Sequence, residues 1–186
     1  MNNTIIISGK AGSGKDTVAS FMKNELEKHG KKVLVIHYGD AVKWVLRAFF
    51  NWDGQKDVVG RTLLQRIGTD IVRAQFPNYW TGIVVGLLKA FEPYNDFDVA
   101  LVPDARFPNE VDIALETLNN CIAVRINRRN ADGTEWINPN LTEEQRNHPS
   151  ETSLDTFAFD YVIHNDEGLD TLEESAKTIL QDLHLI

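Results

Sequence analysis

Nine residues near the start of the chain, Gly9-Lys10-Ala11-Gly12-Ser13-Gly14-Lys15-Asp16-Thr17, concentrate the chemistry that can be read directly. They spell GxxxxGK, the phosphate-binding P-loop. Glycines at these places let the backbone turn tightly, so that successive N–H groups and the next helix's amino terminus face one anion that Lys15 neutralises. The pattern departs at Asp16, where the usual loop has Ser or Thr for Mg2+, and Thr17 follows it. Both are candidate metal contacts. Kinases, GTPases and motor ATPases all use such a loop, but no NKxD guanine-reading tetrad and no transporter-ATPase signature is present. Small-molecule kinases remain as the main class.

Three further groups can serve such a reaction. Leu101-Val-Pro-Asp104-Ala-Arg106-Phe-Pro-Asn-Glu110 puts Asp104 at the carboxyl end of a strand, where doubly wound sheets bind ligands. Asp104 suits a Walker-B-type acid holding metal; the plainer alternative is a cap on the following helix. Arg106 can reach the same crevice. Arg61, Gln65, Thr69 and Arg73 recur at spacing four, opposite an apolar stripe of Leu64, Ile67, Ile71 and Ala74. A face with two arginines and an amide suits a phosphate ester attached to a base; a solvated helix face has the same look. Asp40, Lys43 and Trp80 are weaker candidates, Trp80 as a stacking platform or as core. Arg125-Ile-Asn-Arg128-Arg129 leads into a long polar segment with no acid nearby in sequence, so Arg128 and Arg129 can close over phosphates and act on the transition state, or mark a solvated strand end.

The elements that must position these groups alternate. Apolar, largely β-branched runs occupy 4–8, 32–37, 98–102, 121–126 and 160–163, and helical patterns follow at 18–26, 41–50, 62–74, 80–91, 109–118 and 169–183. Nearly continuous apolar strands between helices predict a doubly wound, parallel, five-stranded α/β sheet. Residues 127–149 lack periodicity and carry Gly133, Pro139 and Pro149, as a functional lid or a disordered segment would.

The 186 residues fit one domain spanning 1–186, with a lid near 127–149 and an acceptor-binding helical region near 40–92. Lys and Arg total 19 against 27 Asp and Glu, a net charge of −8, which argues against a phosphate-tracking face for a nucleic-acid polymer. The single cysteine, Cys121, excludes an internal disulfide, and the five histidines show no HxxxH or HExxH spacing. No leader-like start or membrane-length apolar run is visible, so a soluble, cytoplasmic protein is expected.

SGKAGSGKDTVA, RTLLQRIGTDIVR, VPDARFPNE, HPSE and DYVIHND, in this order, resemble the deoxynucleoside monophosphate kinases of tailed bacteriophages. The GKD loop, the D-x-R at a strand end and Ser150-Glu151 also resemble animal-type phosphomevalonate kinase, which shares the fold. The resemblance implies a P-loop nucleoside-triphosphate hydrolase fold of the nucleoside monophosphate kinase type, with Mg·ATP donating to a deoxynucleoside monophosphate. It implies ATP phosphates held by Gly9 to Thr17 with Lys15 central, Arg128 and Arg129 in the lid, and Arg61, Gln65, Arg73 and Arg106 on the acceptor. Asp40, Lys43, Thr69, Trp80, Glu110, Ser150 and Glu151 complete the candidate acceptor set, although His148-Pro-Ser150-Glu151 also reads as a turn and helix cap. A homodimer and action in a host cytoplasm, supplying DNA precursors, belong to the same implication.

Overall fold

The computed structural model describes residues 2–94, 96–130 and 132–186. Strands β1 (Asn3–Ser8), β2 (Val33–Val35), β3 (Val99–Ala105), β4 (Cys121–Arg128) and β5 (Tyr161–Asn165) form one sheet in the order β2-β3-β1-β4-β5, every pairing parallel. Each strand must feed a crossover to return in the same sense, and the helices between them do so, with one more helix packing on the sheet after β5. They are α1 (Lys15–Lys28), α2 (Gly39–Phe50), α3 (Val58–Gln65), α4 (Tyr79–Phe91), α5 (Pro108–Thr117), α6 (Glu143–Asn147), α7 (Pro149–Thr152) and α8 (Leu169–Asp182).

The continuous apolar runs of the inner strands β3, β1 and β4 are explained by burial on both faces, whereas the edge strands leave Val35 and Val162 exposed. In β1, Ile5 and Ile7 face a core with Val18, Met22 and Leu26 of α1 and Leu172, Ile179 and Leu180 of α8. Ile6 faces the opposite core, with Val84, Val85 and Leu88 of α4 and Val111 and Ala114 of α5. A third, smaller cluster of Val42, Leu46, Ile67 and Trp80 ties α2, α3 and α4 into an arm beside the sheet. No helix among the described residues is long and apolar enough to cross a membrane.

Three details depart from the periodicities. The run 32–37 pairs only over Val33–Val35, because beyond it the chain turns directly into α2. The 62–74 pattern is two helices in series: α3 continues as a π-helix over Arg66–Arg73. Residues 127–149 are not one irregular loop, since β4 extends to Arg128, Arg129 bridges Glu135, and α6 begins at a Thr142 cap whose hydroxyl accepts from Gln145 N. Ala131 lies outside the described residues.

Candidate active site

The P-loop joins β1 to α1 at the carboxyl end of the sheet. Gly9, Gly12 and Gly14 take φ of 152°, 83° and 106°, and a Cβ at Gly12 would lie 2.7 Å from the Trp136 ring. Side chains are therefore excluded on conformational and steric grounds alike. Lys15 is buried, and its ammonium donates to the carbonyls of Gly9 at 2.7 Å and Lys10 at 2.8 Å. Burial pulls its pKa well below the lysine range, Arg106 adds to this, and Glu151, Asp16 and Asp104 oppose it. Ser13 Oγ is buried without a hydrogen-bond partner among the described residues. Such an orphan in a ring of backbone donors is what a loop built around an absent anion leaves behind.

On one side of this loop lies a cavity of about 390 Å³ lined by Gly12, Gly14, Asp16, Thr17, Arg128, Asn165, Gly168 and Leu169. Arg128 donates to Gly12 O at 3.0 Å while stacking on Trp136 at 4.1 Å, and Asn165 Nδ2 donates to Ser13 O at 2.8 Å. The ends of β4 and β5 thus grip the loop from above. Asn138 Nδ2 adds a bond to Ala11 O at 3.0 Å, so the segment after β4 rests on the P-loop. The Arg129 side chain is exposed and turned to another cavity, shared with Lys10 and Arg125. Arg125 does find an acid, Asp155 at 2.9 Å, brought close only by the fold.

On the other side, a cavity of about 340 Å³ lies between the P-loop and the α2–α4 arm. It gathers Lys15, Asp16, Lys43, Arg61, Gln65, Thr69, Arg73, Trp80, Asp104, Arg106, Glu110, Ser150 and Glu151. The π-helix is what keeps the spacing-four residues here. Four residues overshoot a turn of α-helix, at 3.6 per turn, and fall short of a turn where bonds run i→i+5. The two drifts oppose each other, so Arg61, Gln65, Thr69 and Arg73 all reach one cavity.

Hydrogen bonding separates the free groups from the engaged ones. Asp104 accepts from the backbone N–H of Tyr38 at 2.8 Å and of Gly39 at 2.9 Å, so it caps α2 and not the helix that follows it in sequence. A bulge at Pro103–Asp104, between the pairs Ile6–Val102 and Ser8–Ala105, aims it there. Arg73 pairs with Glu110, donates to Asn109 Oδ1 at 3.1 Å and stacks on Phe107 at 4.0 Å. Glu110 is buried and accepts from Arg106 N at 2.6 Å and Phe107 N at 3.1 Å; burial raises its carboxyl to about 7 against the pull of Arg73. Glu151 Oε2 receives both Arg106, at 2.9 Å, and the P-loop N–H of Ala11, at 2.8 Å. Ser150 Oγ bonds His148 at 2.9 Å and Gln65 at 3.4 Å, and Trp80 Nε1 donates to Gly68 O at 2.8 Å while its ring fills the small core. Asp40, an exposed residue, pairs with Lys43 at 2.7 Å, and although burial raises its pKa the Lys43 contact brings it below the usual range. Arg61 alone among the proposed acceptor arginines has no side-chain partner among the described residues, and its Nε is buried.

Sequence reasoning missed Lys56, which enters the acceptor cavity from an aperiodic turn, and Trp136, Asn138 and Asn165, which hold the P-loop. Lys56, Trp136 and Asn138 sit in no motif, and Asn165, although within DYVIHND, has a spacing that gives it no role, so only the fold exposes them. For a metal, no cluster of three or more His, Cys, Asp or Glu capable of holding an ion occurs among the described residues. One or two protein oxygens beside the P-loop, from Asp16, Thr17 and Asp104, are the donor set that suits Mg2+ shared with substrate phosphates.

Comparison with curated proteins gives no match. Among solved structures, the chain is similar to an unliganded sugar kinase from Janibacter sp. HTCC2649, at 15% identity over 97% of this chain and 95% of that one, with a TM-score of 0.60. It is similar to shikimate kinase from Acinetobacter baumannii in complex with shikimate, at 16% over 99% and 94%, TM-score 0.54. A third likeness is to the Mycobacterium tuberculosis APS kinase in complex with AMPPNP and APS, at 16% over 98% of each chain, TM-score 0.50. These establish the fold as that of P-loop kinases. A profile for adenylylsulphate kinases matches residues 1–68, the region of the shared P-loop. A profile for deoxynucleotide monophosphate kinases matches residues 48–176, more than half of the chain and the part that carries Lys56 to Glu151 of the acceptor cavity, and the protein belongs to that family of small-molecule kinases.

Proposed function

We propose that this kinase transfers the γ-phosphoryl group of ATP to the 5′-phosphate of a deoxynucleoside monophosphate, supplying precursors for DNA. The observation that carries the reading is the cavity beside the P-loop, in which the Arg61 guanidinium stands without a partner next to the Gln65 amide. An unpaired, partly buried guanidinium is costly unless an anion completes it, and an amide beside it suits the hydrogen-bonding edge of a base. The family match over the same residues supports the acceptor class.

In the reaction, an oxygen of the acceptor phosphate forms a bond to the γ-phosphorus while the bond from that phosphorus to the β,γ-bridging oxygen breaks. The electron pair stays with ADP. The attacking oxygen is already anionic, so no general base is needed, and positioning with charge neutralisation does the catalysis. Gly9 to Thr17 hold the donor phosphates, and the Lys15 ammonium turns from its own carbonyls to the β- and γ-oxygens. Arg128 covers the donor, and Arg106, paired with Glu151 and donating to Ser150 O beside the P-loop, neutralises charge on the group in flight. Gln65, Thr69, Ser150 and Glu151 face the acceptor, Trp80 floors its cavity, and Lys43 lies at its rim with Asp40 behind it as its ion-pair partner. Arg73 and Glu110 brace Arg106 through the backbone of β3's end. Bound Mg2+, held by Asp16, Thr17 or Asp104, would supply further neutralisation of the phosphates.

The test is acceptor-dependent ADP release with Mg·ATP, using dTMP, dGMP, dCMP, dAMP, their ribose counterparts and phosphomevalonate. Turnover with at least one deoxynucleotide is expected, and Lys15→Ala should abolish it while the far-ultraviolet dichroism stays unchanged. Turnover with phosphomevalonate alone, or ATP binding without any acceptor-dependent release, overturns the reading.

A further inference from the structure

The acceptor cavity holds cations whose partners sort them. Lys43 is taken by Asp40, Arg73 by Glu110 and Arg106 by Glu151. Lys56 and Arg61 have neither an ion pair nor a side-chain hydrogen bond among the described residues, yet both line the cavity. Lys56 lines the same cavity as Lys15 and Asp16 of the P-loop, Asp104 and Arg61, where the donor side meets the acceptor side.

The turn that carries Lys56 is built to hold it. Trp52 Nε1 donates to Gln55 O at 3.1 Å, Gln55 N donates to Asp53 Oδ1 at 2.8 Å, and the Arg47 guanidinium stacks over Trp52 at 5.6 Å. Asp57 then caps α3 by accepting from Gly60 N at 2.8 Å. Gly60 packs so closely that a Cβ there would lie 2.0 Å from Gln55 O. Lys56 therefore projects from a braced turn at the start of the helix that carries Arg61. Desolvation at the cavity's edge lowers its pKa, Lys43 and Arg61 add like-charge repulsion that an anion relieves, and Asp16 and Asp104 oppose the shift.

We propose that Lys56 and Arg61 form a two-pronged clamp on the acceptor's phosphate, and that this clamp makes the site select a phosphate dianion over an uncharged alcohol. This deepens the phosphate-acceptor reading and rests on it. Two phosphates must come into contact for the transfer, so the acceptor's charge has to be met by groups not already paired within the protein. Arg61 offers the planar fork suited to two oxygens, and Lys56 the compact charge that can follow the phosphate as it becomes an anhydride. The cations at Arg73 and Arg106 are held by buried carboxylates and cannot take this part without first breaking those pairs.

The clamp is tested by binding, without turnover. Wild-type protein, Lys56→Gln and Arg61→Gln are titrated calorimetrically with the four deoxynucleoside monophosphates and the four uncharged deoxynucleosides, and with inorganic phosphate followed by 31P NMR. Each substitution should weaken monophosphate and phosphate binding roughly ten- to a hundredfold, the worth of one charge-assisted hydrogen bond, and leave nucleoside affinity within about twofold. Lys177→Gln, on the far α8, should change nothing. Lys56 is exposed, so its variant folds even if Arg61→Gln does not. Equal phosphate affinity in wild type and Lys56→Gln, no phosphate binding by wild type, or a parallel loss of nucleoside binding overturns the clamp. Phosphate binding that depends on Lys56, in a protein that turns over no deoxynucleotide, would instead leave the clamp standing and remove the deoxynucleotide reading.

Discussion

A buried ammonium has to be bonded to something, and Lys15 bonds the carbonyls of its own loop. The same accounting runs through the site, where the pairs Arg73–Glu110 and Arg106–Glu151 satisfy charges that would otherwise be stranded. Glu110 yields a prediction of definite sign. Burial raises its folded pKa to about 7 from an ordinary 4.5, so between these values the folded carboxyl keeps a proton that the unfolded chain has lost. Its stabilising contribution is complete below about pH 4.5 and fades as the pH rises through about 7. Glu110→Gln cannot ionise, and its urea midpoint should change less than that of wild type between pH 5 and 7.5; parallel shifts would contradict this. At this scale the P-loop was legible because its chemistry is contiguous in sequence. The partners of Arg73, Arg106 and Arg125 were not, because Glu110, Glu151 and Asp155 reach them only through sheet topology.

Elements were legible where periodicity is long and one-sided. All five strands were, since each carries an apolar run, continuous in the inner strands and one-sided in β5 at the edge, and β2 was overrun at both ends. The four polar residues at spacing four correctly marked a single face, but for a reason that α-helical geometry does not give. The π-helix over Arg66–Arg73 compensates the α-helical drift, and nothing in RIGTDIVR announces it. The five residues of α6 are too few to show a period; its place is set by Gln145, buried and donating to Val58 O and Thr62 Oγ1 at 3.0 Å each. The junction before α3 is the element most exposed to a single methyl group. Gly60→Ala sets a Cβ against the Gln55 carbonyl and should cost roughly 2–3 kcal/mol, as overpacking against rigid backbone does, read as a lowered urea midpoint with unchanged slope. Stability equal to wild type would mean that the Trp52–Asp57 turn is not braced as described.

At the scale of the molecule, three pieces converge on one end of the sheet: the P-loop after β1, the α2–α4 arm, and the segment running from β4 to α7. Trp136 and Asn138 seat the last piece on the loop, while Gln145 docks it to α3, so donor and acceptor sides are bridged by the same stretch of chain. That stretch was legible only as aperiodic, since its order comes from contacts with two other elements. The central claim is that the phosphoryl group lands on a phosphate oxygen, although the fold is shared with a shikimate kinase and a sugar kinase. The most direct measurement is 31P NMR of the product formed from ATP and a deoxynucleoside 5′-monophosphate. The coupled doublets of a new 5′-diphosphate are expected alongside those of ADP. A new uncoupled monoester signal, from transfer to a sugar hydroxyl, or inorganic phosphate alone would contradict it.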